Sequence, residues 1–98
     1  MEIKIRNNKY ELKKDYGDTI NTINLEEYIT EYYDNFDYIV GDWAYGKLRL
    51  KGFYDHNNKF VKAYNDYDKV EEYISNNCAY GCKHFILAKI KNNNIEKE

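Results

Sequence analysis

The sequence contains no proline, so its turns must be made by glycine, asparagine and aspartate. Only five glycines are available, and three of them, Gly41, Gly46 and Gly52, fall in one stretch. Cysteine occurs twice, as Cys78 and Cys82; with no export signal ahead of them a reduced pair is expected, the alternative being a Cys78–Cys82 disulfide redox switch that Gly81 would permit. No apolar run approaches the ~18 residues of a membrane-spanning helix. Met1 leads straight into Glu2-Ile-Lys-Ile-Arg6 without the apolar core of a signal peptide. A soluble, cytoplasmic protein with no membrane association is expected. The formal net charge is only −2, which argues against indiscriminate nucleic-acid binding. Glycine-rich phosphate loops are missing as well, and no cofactor is expected.

What remains is aromatic and charged. The 98 residues make one domain, expected over residues 1–91, with 92–98 a disordered polar tail. Folding at that length buries roughly 60 to 70% of the surface an unfolded chain exposes. Charged residues are 33% and mean hydropathy is −0.92, values that lean towards disorder. Twelve tyrosines, four phenylalanines and Trp43 supply the buriable area that offsets this, so a thin aromatic core is predicted. Lys, Asn, Ile and Tyr all have AT-rich codons, and genome composition accounts for part of the tyrosine excess. Charge is unevenly placed: residues 20–46 carry Glu26, Glu27, Glu31, Asp34, Asp37 and Asp42 and no Lys or Arg, whereas residues 47–64 carry five bases against Asp55 alone.

The periodicity predicts an α+β domain with a small, mixed or mostly antiparallel sheet, two helices and the order β-β-α-β-β-β-α-β. Ile3 and Ile5 alternate with Lys4 and Arg6, Asn7-Asn8 supplies a turn, and Tyr10 to Lys13 alternates again, as in a hairpin. Asn24 with Glu27 fits a helix start, and Leu25, Tyr28, Ile29, Tyr32 and Phe36 make the stripe of a helix of about eleven residues. Asp37 to Gly41 reads as a strand, Asp42 to Gly46 as a turn, and Lys47 to Tyr54 as a strand with Leu48 and Leu50 on one face and Lys47, Arg49 and Lys51 on the other. Phe60 to Tyr64 is predicted to return as a further strand. Asp68 and Glu71 frame a second helix striped by Val70, Tyr73, Ile74 and Cys78, with Gly81 stopping it. Residues 83–91 are apolar on both faces at their centre, which predicts an interior strand.

Three runs together resemble a known family. Tyr38-Ile-Val-Gly-Asp-Trp43 with Tyr45-Gly46 and Leu48-Arg-Leu-Lys-Gly-Phe53 is similar to the signature of the YutD-like family, small proteins of low-GC Gram-positive bacteria and their relatives. Asn8-Lys-Tyr-Glu-Leu12 and Cys78-Ala-Tyr-Gly-Cys82 ahead of Phe85-Ile-Leu87 resemble its other two marks, so the likeness spans roughly residues 3–90. It implies a compact cytoplasmic α+β domain and transfers no catalytic residue. Ala44 departs from the pattern, where glycine is commoner.

Four constellations carry chemistry in principle. The Asp42 to Tyr45 turn, with Trp43 and Tyr45 as rigid faces, reads as a recognition loop for a protein partner; alternatively, Asp42 satisfies the turn's own N–H groups and Trp43 caps the core. The basic strand of Lys47, Arg49 and Lys51, which Lys4, Arg6, Lys89 and Lys91 join if their strands share its face, suits a protein surface or, alternatively, single-stranded RNA held by phosphate contacts and stacking. A solvated sheet face is charged for no further reason. Cys78, Cys82 and His84 are ligand types that zinc prefers, but their spacing is wrong and His56 is distant, so no metal site is predicted. Cys82 with His84, or Asp42 with His56, would be the nucleophile-base or acid-base pairs of a small enzyme, but nothing supplies an oxyanion hole. The leading expectation is a non-enzymatic binding module whose contact residues are Asp42, Trp43, Tyr45, Lys47, Arg49 and Lys51.

Overall fold

The computed structural model describes residues 1–77 and 81–90. Five strands form one antiparallel sheet: β1 (Glu2–Ile5), β2 (Asn8–Tyr16), β3 (Tyr38–Ala44), β4 (Lys47–Phe53) and β5 (His84–Lys89). Their order across the sheet is β1-β2-β5-β3-β4, every neighbouring pair antiparallel. Among the described residues, the last strand in sequence is thus the middle one in space. That is why Phe85, Ile86 and Leu87 are apolar on consecutive positions: alternate side chains enter different cores, one on each face.

One face packs Ile5, Tyr10, Ile39, Phe85 and Leu87 beneath the segment 20–36, which contributes Leu25 and Ile29. The other packs Val40, Phe53 and Ile86 beneath helix α2 (Val70–Asn77), which contributes Val70 and Ile74. Two glycines admit rings into the first layer. A Cβ on Gly41 would lie 2.3 Å from the Phe85 ring, and one on Gly52 would lie 2.3 Å from the Phe36 ring.

Several expectations need correcting. The first helix, α1, spans only Leu25–Tyr28, with Asn24 accepting from the Glu26 N–H. Ile29 and Thr30 are then extended, and a 3-10 turn follows at Glu31–Tyr33. Adjacent β-branched residues are weak helix formers. The extended link carries the chain across the sheet, so Ile29 packs with Ile5 and Tyr10 while Phe36 reaches Gly52 on β4. Tyr28 and Tyr32, expected in the buried stripe, are exposed.

No strand forms at residues 60–64. Asparagine side chains take the backbone donors there instead: Asn58 Oδ1 accepts from the Phe60 N–H at 2.8 Å, and Asn65 Oδ1 from the Lys62 N–H at 2.7 Å. The start of α2 is capped two residues earlier than predicted, Asp66 accepting from the Asp68 N–H at the 3-10 turn Tyr67–Lys69. In the first hairpin the residue at positive φ is Arg6 (+57°), not an asparagine, and its guanidinium donates to Asp34 at 2.6 Å. Cys82 was expected reduced but is disulfide-bonded. Gly81 beside it has φ +75°, in the left-handed region that favours glycine. Cys78, Tyr80, Lys91 and the predicted tail lie outside the described residues.

Candidate functional site

The strand predicted to end at Gly41 continues through Asp42 and Trp43 to Ala44, and the turn tightens to two residues, Tyr45 and Gly46. Ala44 faces Lys47 across it. Both turn residues have positive φ, +55° and +77°, the arrangement whose twist matches a β-hairpin. Asparagine followed by glycine is the usual occupant; here the first position holds a tyrosine. Tyr45 is fully exposed, at 102% relative accessibility.

The site residues predicted from sequence divide into two groups. Asp42, Trp43 and Arg49 build the hairpin. Asp42 is 1% exposed, and its carboxylate accepts from Arg49 Nε and Nη2, each at 3.0 Å. Arg49 also donates to the Asn77 carbonyl at 2.6 Å, fastening the end of α2 to the sheet. The hydrogen bonds to Asp42 raise the guanidinium's pKa further, so this cation is fixed. Trp43 is half-buried and meets Phe85 edge-on, with centroids 6.1 Å apart.

Tyr45, Lys47 and Lys51 take no part in that network. Lys47 is exposed beside the turn. Lys51 is half-buried, its Nζ 5.3 Å from the Phe53 ring centroid, 5.5 Å from Tyr64 and 5.7 Å from Tyr73. It separates two hollows flanking β4, one lined by Tyr32, Phe36 and Tyr64, the other by Phe53, Tyr64 and Tyr73. Burial raises the Tyr73 hydroxyl above its ordinary pKa. The wider basic face does not assemble. Lys4 lies on β1 at the opposite edge, Arg6 is bound to Asp34, and Lys89 pairs across from Tyr10, on the other face, donating to the Asp34 carbonyl.

Neither proposed catalytic pair forms. The Cys82 sulfur is committed to its disulfide, and His84 Nδ1 donates to the Cys82 carbonyl at 3.1 Å while its ring stacks on Tyr16. His84 Nε2 is buried without a hydrogen-bond partner among the described residues. His56 pairs with Asp66 at 2.8 Å rather than with Asp42. That hydrogen bond raises the His56 pKa and lowers that of Asp66. With Asp68 these groups place three metal-ligand atoms within 4.8 Å of one another. The cluster is already accounted for as an ion pair at the cap of the 3-10 turn. Sequence reasoning missed it because His56 and Asp66 stand ten positions apart and meet only when Tyr54 bridges to Asp66.

A five-stranded antiparallel sheet, clasped between a helix and an irregular segment and presenting an aromatic-tipped hairpin, defines a class of small α+β protein. The chain belongs to the YutD-like family. The matching family model, described as "Putative antitoxin YutD-like", covers residues 4–88. A Bacillus subtilis (strain 168) protein described as "Putative antitoxin YutD" is 37% identical over 89 residues, 91% of this chain and 98% of that protein. The solution NMR structure of B. subtilis yutD is similar with a TM-score of 0.73 at 35% identity, covering 94% of this chain and 84% of that one. Among the described residues no helix is long and apolar enough to cross a membrane.

Proposed function

We propose that this chain is a non-enzymatic, intracellular binding module that engages a protein partner through the tip of the β3–β4 hairpin and the adjoining basic strand, in the manner of an antitoxin holding its toxin. The observation that carries this reading is Tyr45. A tyrosine at left-handed φ costs about 1 kcal/mol relative to the asparagine or glycine that favours this turn, and its ring gains nothing back by packing. Full exposure of a rigid aromatic at a strained position is better explained by contact than by folding. Lys47 beside it and Lys51 in its aromatic surround give the surface its charge. Asp42, Trp43 and Arg49 hold the hairpin that presents it. The word antitoxin in the family description and in that of the B. subtilis relative supports a protein partner.

RNA binding through the same face is the weaker reading, because Arg49 is already bound by Asp42 and Asn77. Affinity capture from the producing organism's lysate, with and without nuclease, tests the choice. A protein retained after nuclease treatment by the parent chain, and lost with Tyr45→Asn, is expected. Retention that vanishes with nuclease would contradict the proposal, as would equal capture by both variants.

A further inference from the structure

The two-residue turn fixes which way every peptide group of β4 points. Ala44 and Lys47 flank it and exchange hydrogen bonds, so Lys47, Arg49, Lys51 and Phe53 direct their N–H and C=O groups towards β3. Leu48, Leu50, Gly52 and Tyr54 direct theirs outward. The far end bears this out: the Phe53 carbonyl accepts from the Asp37 N–H at 3.0 Å on the β3 side. On the outer side the Tyr54 N–H donates to the Asn65 carbonyl at 2.7 Å, and the Tyr54 carbonyl accepts from the Tyr67 N–H at 2.9 Å. The protein therefore already adds a short segment to this edge at Tyr54, as a parallel bridge to Asp66. Gly52 is buried under Phe36. The peptide groups of Leu48 and Leu50 have no partner among the described residues.

Building on the proposed binding role, we propose that this open edge takes an extended segment of the partner protein as an added antiparallel strand, acidic on the face of Lys47 and Lys51 and apolar on the face of Leu48 and Leu50. Charge selects the occupant. A second copy of this chain pairing β4 to β4 about a two-fold axis at Arg49 would set Lys47 opposite Lys51; an axis at Leu48 would set Lys47 opposite Arg49, and one at Leu50 would set Arg49 opposite Lys51. Like charges facing each other across strands are destabilising, and lysines on an edge strand are a recognised guard against self-pairing. The same cations favour a strand carrying carboxylates. Leu48 and Leu50 are half-buried, leaving apolar surface for the alternate side chains of that strand. The other edge, β1, mixes Glu2 with Lys4 on one face and has no such preference.

Isotope-labelled full-length chain titrated with synthetic peptides tests this. The probes are a peptide of alternating Glu and Val, its Lys and Val counterpart, and a Glu and Val peptide methylated at every valine nitrogen, the donors that would face Leu48 and Leu50. Slowed amide exchange at Leu48 and Leu50 is expected with the first probe alone. Lys47→Glu should weaken that peptide's binding roughly threefold and confer binding of the Lys and Val peptide. Unchanged exchange at both amides would overturn the inference, as would equal binding of the methylated peptide, which keeps the charge but cannot extend the ladder. If either result accompanied capture that still depends on Tyr45, strand addition would fall while the binding role stood.

Discussion

At the scale of single residues, the buried carboxylate of Asp42 makes the clearest energetic statement. Arg49 is 42% exposed and can return to water, whereas Asp42 at 1% cannot. Removing Arg49 therefore strands an interior carboxylate, a situation that costs about 3 kcal/mol, while removing Asp42 leaves only a solvated guanidinium. Arg49→Met should lower the urea midpoint more than Asp42→Ala does, and the double variant should recover part of the loss. Gly41→Ala should cost about 3 kcal/mol because the Phe85 ring it would strike is wholly buried. Gly52→Ala should cost less, since Phe36 is half-buried and can yield.

The His56 and Asp66 pair gives stability a pH dependence of known sign. The His56 pKa is raised above 6.5, so its contribution is complete below 6.5 and is lost as pH rises through the raised folded value. The Asp66 pKa is lowered below 3.8, so its contribution is present above 3.8 and is lost as pH falls through the depressed value. The link stabilises most between those limits. His56→Ala should flatten the decline in unfolding midpoint on the alkaline side, and an unchanged slope would contradict the pairing.

At the scale of elements, the role proposed for the β3–β4 hairpin predicts that folding and function separate there. Tyr45→Asn replaces a strained residue with one suited to the turn and removes only an exposed ring. Thermal stability should hold or rise by a few degrees while partner binding falls, a divergence that a purely structural tyrosine would not produce. The alternation of Lys47 to Phe53 was legible because one face packs on each side of the sheet, and α2 was legible from Val70 and Ile74. The turn was not legible, because Tyr45 is an unusual residue for the conformation it adopts. The break in α1 was hidden for a different reason. Leu25, Ile29 and Phe36 keep helical spacing although the chain is extended at Ile29 and Thr30, since each must reach a different part of the same face.

At the scale of the molecule, sheet order is what makes the proposed surface. The central β5 is covered on both faces, and its apolar sequence said so. That β4 would be an edge strand could not be read from the chain, since it depends on β5 inserting between β2 and β3. The same order explains why the expected basic face is divided: Lys4 and Lys47 sit on opposite edges, and Lys89 faces the other layer. The cations near the hairpin are left as a local patch beside an open ladder. The most direct test of this account is hydrogen exchange of the Leu48 and Leu50 amides, measured in the free protein and again in complex with the partner captured after nuclease treatment. Strong new protection at both amides, absent when Tyr45→Asn prevents the complex from forming, is predicted. A complex that leaves both amides exchanging as in the free protein would contradict it.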